Sequence, residues 1–308
     1  MIPSNDTIKP VIPSTTGERS HSTTFLISVL LFQQTLGGMT FPVAKFGLQF
    51  IEPFTFAFYR FVLSSLVLFI MVRLQNHSRP IERKDFWKIV GLGFLIIPFN
   101  QTMYLVGQSL TGAGHGSLLF ATAPIWIFLG ALIHLKERPG LRRTAGIIVA
   151  LLGVVIVMAT GALEISSEYL WGDLIVLIAV LAWAYYTILG TQLVRKYGAI
   201  RVTAYALISG SIMYFPFGLY RAVNLDYASV PAAAWWSVAY VALGVSIAAY
   251  VLWYWVLKFM EASRIAVFHN MQPFLAAGVA YFWLNEPLGL SFIIGGTVAI
   301  AGVLIAEL

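Results

Sequence analysis

Apolar residues run almost without interruption through ten stretches, at about 25–45, 53–72, 86–108, 114–135, 142–161, 171–194, 202–220, 232–257, 264–284 and 290–306, with short polar segments between them. Each is about the 20 residues that a helix needs to cross a hydrocarbon layer of about 30 Å. The runs are continuous, whereas a transmembrane barrel would show alternating segments of about 10 residues. The pattern therefore predicts an all-α membrane protein with ten transmembrane helices. Residues 1–24 are rich in Ser, Thr and Pro with mixed charges, and no small-residue cleavage signature follows the first apolar run. They read as a short disordered cytoplasmic tail before an uncleaved helix.

A second periodicity lies over the first. Pro124 and Glu137 return as Pro273 and Glu286 at a separation of 149 residues, and so do Trp87 and Trp236, Gly146 and Gly295, and Gly153 and Gly302. The chain reads as two copies of one five-helix unit, at 25–161 (helices one to five) and 171–308 (helices six to ten). An odd number of crossings per copy turns the second upside down relative to the first, the arrangement by which many secondary transporters build two gates around one midplane site.

Composition agrees with a bilayer as solvent. The 308 residues are 59% hydrophobic and only 10% charged, and the mean hydropathy is +0.83, too apolar for a soluble domain. Cysteine is absent, which excludes disulfides, thiolate metal sites and cysteine nucleophiles. With the amino terminus in the cytoplasm, 16 of the 19 Lys and Arg fall on cytoplasmic segments, while Lys45 and Arg221 lie opposite and Arg60 lies within a helix. By the positive-inside rule this predicts a multi-pass protein of the plasma (inner) membrane with both termini cytoplasmic. The net charge of +6 is then a topological signal, and nucleic acid is not an expected partner. The repeat obeys the same rule: Glu137 sits among Lys136, Arg138, Arg142 and Arg143, and the segment around Glu286 carries no Lys or Arg.

The run Ala262-Ser263-Arg264-Ile265-Ala266 leading to Gln272-Pro273, then Trp283-Leu284-Asn285-Glu286-Pro287, Gly295 and Gly302, resembles the EamA domain of the drug/metabolite transporter superfamily. The first copy matches in the same order through Thr111 to Gly116, Ala123-Pro124, Leu135-Lys136-Glu137, Gly146 and Gly153, departing at Arg138-Pro139. The resemblance covers essentially residues 25–308. It implies two inverted five-helix EamA repeats and a secondary transporter or exporter of small organic metabolites, often amino acids, with no cofactor.

Polar and aromatic residues within apolar stretches are the candidate solute contacts, because an unsatisfied polar group in hydrocarbon costs several kcal/mol. Gln33, Gln34, Asn100, Gln101, Thr122, Trp183, Tyr186, Thr187, Tyr250 and Trp253 lie at similar depth, with Ser246 among them, and His269 is a further candidate within a span. Trp183, Tyr186 and Thr187 share one helical face by their i, i+3, i+4 spacing, as do Tyr250, Trp253 and Tyr254. Two readings are open for each group: the aromatics border a solute cavity or pack between helices, and the amides meet a ligand or bond across helices. Arg60 is the strongly basic residue inside a span. It serves a substrate carboxylate or a gate partner, or it snorkels outward. His269 relays a proton or is held structurally, with Asn270 and Gln272 beside it, and His115 and His134 lie at helix ends. Pro98, Pro124 and Pro273 free carbonyls within helices, as cavity lining or as kinks. Glu137 and Glu286 are expected to cap the N-terminus of the helix that follows each. The Gly and Ala spacing in helices five and ten permits close packing, as scaffold or dimer surface, so the chain is expected as a monomer or a homodimer through these helices.

The expected partners are a small-molecule solute and the lipid bilayer; no catalytic or metal-ligating residues are expected. A Walker A pattern is absent, so no ATP-driven step is indicated. A membrane-embedded enzyme would gather His, Asp or Glu inside the spans, but the acidic residues lie almost entirely in loops. A non-transporting scaffold subunit would have no use for a polar midplane cluster.

Overall fold

The structure, a computed structural model, describes residues 21–75, 80–110, 119–137, 140–159, 170–272, 274–275 and 290–307. Residues 1–20, His115, Arg138, Pro139, Pro273 and Glu286, for which the sequence carries expectations, lie outside the described residues. Among those described there is no strand. The helices are α1 Thr23–Gly38, α2 Thr40–Gly47, α3 Pro53–Leu74, α4 Arg83–Phe94, α5 Thr102–Leu110, α6 Ala123–Gly130, α7 Leu141–Ala159, α8 Leu170–Tyr197, α9 Ala199–Val223, α10 Ala232–Tyr240, α11 Tyr250–Val256, α12 Ala262–Ala266 and α13 Leu290–Glu307. Among the described residues four continuous helical stretches, Pro53–Leu74, Leu170–Tyr197, Ala199–Val223 and Ala232–Val256, are long and apolar enough to cross a membrane. Their outward surfaces carry Leu66, Ile70, Trp171, Ile212 and Trp236 as exposed large apolar side chains, which suits contact with lipid and would not suit water.

Local chemistry accounts for several helix ends. Ser22 caps α1 by accepting from Phe25 N at 3.2 Å, and Glu52 caps α3 by accepting from Thr55 N at 3.2 Å with Pro53 in the first turn. Gly198, at φ 87°, makes the left-handed turn between α8 and α9. Pro98 lacks an amide donor, and around it α4 passes into α5 through a wide π-helical segment, Leu95–Gln101. A matching segment, Val241–Ala249, joins α10 to α11 without a proline. Pro124 stands in the first turn of α6, where its missing N–H interrupts no helical bond, so it does not kink a helix interior.

The small-residue faces of α7 and α13 meet each other within the chain. A Cβ on Gly146 would lie 2.6 Å from both Gly302 O and Ala306 N, and one on Gly153 would run into Ala299 N and Gly295 O. Ile148, Leu152, Ile300 and Leu304 are left exposed on the outer faces. In the α3–α9 pair the hydroxyls reach across reciprocally: Ser65 Oγ donates to Leu207 O and Ser211 Oγ to Phe61 O, both at 3.2 Å, with 2.7 Å between the two hydroxyls.

Glu137 corrects an expectation. It does not cap α7, the helix that follows it; its oxygens accept from Ala262 N at 2.9 Å, Ser263 N at 3.1 Å and Ser263 Oγ at 2.6 Å. It therefore caps α12, 125 residues away. Arg143 adds an ion pair to Glu261 beside it. The preference of a helix N-terminus for negative charge holds, but tertiary packing chooses which helix receives it.

Asp85, in the first turn of α4, is the other acidic anchor. It accepts from Lys196 Nζ at 2.6 Å, Tyr197 OH at 2.9 Å and Lys88 Nζ at 3.2 Å. The Lys196 ammonium, with the Tyr197 and Lys88 donors, holds its carboxyl well below the ordinary value of 3.8 against the opposing effect of desolvation. A depressed carboxyl stabilises the fold above its unfolded value and loses that contribution as the pH falls through and below it. Thermal unfolding of the detergent-solubilised protein should thus show an acid-side loss that is shallower in Asp85→Asn, which should also melt lower at neutral pH. Parallel pH profiles for variant and wild type would refute the assignment.

Candidate functional site

The two π-helical segments deliver polar side chains to one interior region. Such segments are rare, and the widened turn is frequently found at functional sites. Asn100 and Gln101 end the first, Ser246 lies in the second and Tyr250 follows it. Gln101 and Tyr250 occupy the same position of the 149-residue repeat, and both reach Arg60.

Arg60 turns inward. Its Nε donates to Ser246 Oγ at 2.8 Å and its Nη1 to Gln101 Oε1 at 3.4 Å. The Tyr250 and Tyr104 hydroxyls lie near the guanidinium. The Phe61 ring sits 4.7 Å below Cζ. The support extends outward, as Gln101 Nε2 donates to Asn100 Oδ1 at 3.0 Å and Asn100 Nδ2 to Ala179 O on α8 at 2.7 Å. Arg60 remains half-buried while Asn100 and Ser246 are buried. Outward snorkelling is thus excluded, and among the described residues no carboxylate pairs with this cation.

An aromatic cluster adjoins it. Trp183 lies 5.4 Å from Tyr250 and 5.7 Å from Tyr186, ring centre to ring centre. Tyr186 in turn stacks on Tyr254 at 4.9 Å. Trp253 stacks on His269 at 4.4 Å with planes 18° apart, and its Nε1 donates to Thr187 Oγ1 at 3.3 Å. Trp183 Nε1 donates to His269 Nε2 at 3.1 Å. An indole N–H can only donate, so Nε2 is an acceptor and the proton of the neutral ring belongs on Nδ1, where Gln34 Oε1 lies at 3.4 Å to accept it. The arrangement holds a neutral imidazole in one tautomer.

The helical faces Trp183/Tyr186/Thr187 and Tyr250/Trp253/Tyr254 therefore do meet, and they gather Gln34, Asn100, Gln101, Arg60 and His269 around them. Two candidates stand apart. Thr122 donates to Leu119 O at 2.6 Å and accepts from Trp126 Nε1 at 3.1 Å, a local arrangement in its own segment. Gln33 is buried, and its Oε1 has no partner among the described residues. Nothing along the chain singles out Tyr104, which stands between the apolar Met103 and Leu105. Asn270 is fully buried with neither amide atom bonded among the described residues, and the Tyr186 hydroxyl is likewise unpaired. Buried polar groups of this kind call for an explanation such as a water or a ligand.

A fold that is all-helical among the described residues, with lipid-suited outer faces and polar and aromatic side chains gathered among its helices, defines a multi-pass membrane protein. Comparison with known proteins agrees. The profile of the EamA-like transporter family matches residues 24–159 and again 170–308, and the chain belongs to that family. An uncharacterised transporter of Archaeoglobus fulgidus is 30% identical over 92% of this chain and 96% of its own length. The uncharacterised transporter YyaM of Bacillus subtilis is 27% identical, covering 88% and 89%. A probable terminal-alkyne amino-acid exporter of Streptantibioticus cattleyicolor is 29% identical, covering 86% and 87%. A solved crystal structure superposes with a TM-score of 0.77 at 18% identity over 91% of this chain and 98% of that one, a likeness of fold alone.

Proposed function

We propose that this chain is a secondary transporter, and not an enzyme, that moves small organic metabolites across the plasma membrane by alternating access. Its solutes are amino acids or related, partly apolar compounds. The observation that carries the reading is an interior site with an arginine at one end and stacked Trp, Tyr and His rings at the other, built from helices of both halves of the chain. The printed name of the Streptantibioticus relative supports the amino-acid class.

Inverted five-helix repeats are supported by contacts that survive exchange of the halves. Gly146 against Gly302 becomes Gly295 against Gly153 under the 149-residue shift, and both pairs are in contact. The reciprocal bonds of Ser65 and Ser211 repeat at a shift of 146. The second copy is then three residues longer in the connection after α9, where the short 3₁₀ turn Tyr227–Ser229 occurs. With the Lys and Arg distribution, this favours ten spans and two cytoplasmic termini. The assembly is a monomer, or a homodimer joined through the outer faces of α7 and α13.

Flux into proteoliposomes tests the function. Reconstituted protein should exchange radiolabelled leucine or a related amino acid across the bilayer, and no exchange over a broad set of metabolites would sink the transporter reading. The same assay reads coupling. If His269 carries a proton, an imposed pH gradient drives accumulation by the wild type and not by His269→Gln; equal equilibration in both, with and without the gradient, identifies facilitated diffusion.

A further inference from the structure

We infer that Arg60 is the docking point for a solute carboxylate, so that this transporter selects solutes that carry one carboxylate on an apolar body. The inference rests on the transporter reading and specifies its substrate. A cation inside a membrane is expensive and is ordinarily paired. Arginine is also the side chain that sheds its charge least readily, so a counter-charge has to come from somewhere. It cannot come from within the membrane-spanning core: of the 13 Asp and Glu, none lies in the middle of an apolar stretch. The described ones, Glu52, Glu82, Asp85, Glu137, Asp173, Asp226, Glu261 and Glu307, sit at helix ends or in connections. The role of a gate ion pair is thereby removed, leaving a ligand.

The surroundings suit a ligand carboxylate better than a permanent structural cation. Among the described residues the polar groups around the guanidinium are neutral: Ser246 Oγ and Gln101 Oε1 bond it, and the Tyr250 and Tyr104 hydroxyls lie close by. These orient the group without neutralising it. A guanidinium carries five N–H donors, and the bonds formed here leave donors for a two-oxygen partner. The half-buried state of Arg60 leaves a face accessible, and Phe61 beneath the plane limits its swing. Trp183 and Tyr250, whose rings adjoin beside the guanidinium, suit an apolar or aromatic body more than a second charge. A polyanion such as a sugar phosphate would usually need several Lys or Arg, and Arg60 stands alone.

The test uses the full-length protein in detergent, with L-leucine and L-phenylalanine as probes, their amides as controls, and ligand-induced shifts of the melting curve as readout. The acids should bind and the amides should not. Arg60→Gln should weaken acid binding roughly tenfold to a hundredfold, the usual worth of a charge-assisted contact, and abolish the preference for acids. Arg60→Lys should fall between the two. It keeps the charge in the span, so a folded Lys variant preserves the test if the Gln variant does not fold. Amides binding as well as acids, neither binding, or a folded variant retaining wild-type affinity for the acids would each overturn the inference. Proteoliposome flux separates this from the broader reading: wild-type protein that carries the amides as well as the acids removes the carboxylate site and leaves the transporter standing.

Discussion

Replacing Gly153 with valine is expected to leave little folded protein. A Cβ at this position would meet Ala299 N and Gly295 O, which are backbone atoms of the opposing helix and cannot rotate aside as a side chain could. The two helices would have to separate along their whole contact, losing dispersion and packing that in a bilayer no hydrophobic drive replaces. Overpacking of an ordinary core costs about 1–3 kcal/mol, and a backbone clash at the tightest point of a helix pair should exceed that. Gly146→Val should behave similarly. Gly91 is the control: a Cβ there meets nothing within 4 Å, and alanine in a helix is favoured over glycine by about 1 kcal/mol, so Gly91→Ala should melt no lower than wild type. A monodisperse Gly153→Val with a wild-type melting curve would contradict the packing described for α7 and α13.

The second large effect concerns Trp253. Its side chain is fully buried and holds two elements of the site at once, stacking on His269 and donating to Thr187. Trp253→Ala should cost about 3–5 kcal/mol in stability, the usual range for emptying a large aromatic site. It should also loosen the imidazole that accepts from Trp183. Trp253→Phe keeps a ring against His269 and loses the Thr187 bond, for about 1 kcal/mol. Melting curves with and without L-leucine read both consequences. If the alanine variant melts low but binds leucine with unchanged affinity, Trp253 is core and has no part in the solute site.

Much of the architecture was legible before any coordinates. Hydropathy marks membrane spans because the bilayer core demands long uninterrupted apolar helices whose backbone groups are satisfied internally. The recurrence of Gly146 and Gly153 as Gly295 and Gly302 marked a close helix pair because only small residues let two backbones approach. Helical spacing likewise set Trp183, Tyr186 and Thr187 on one face. The continuity of the spans was less legible. Met39 divides the first apolar stretch into α1 and α2, and the second π-helical segment carries no proline to announce it.

By itself, then, the sequence determined the all-helical class, the apolar spans, the repeat and which side chains share a face. Each follows from contiguous residues, through helical periodicity and the cost of polar groups in hydrocarbon. The tertiary structure alone decided where those faces point. It turned Arg60 toward Ser246 and Gln101 and away from the lipid surface, and it sent Glu137 across 125 residues to cap α12 in place of its neighbour. It joined Trp183 to His269 across 86 residues while leaving Thr122 bonded within its own turn. The physical reason is that a helix's rotation and its partners are chosen by packing against other helices, and a side chain's bond depends on which donor or acceptor that packing brings within about 3 Å. No local pattern carries that information.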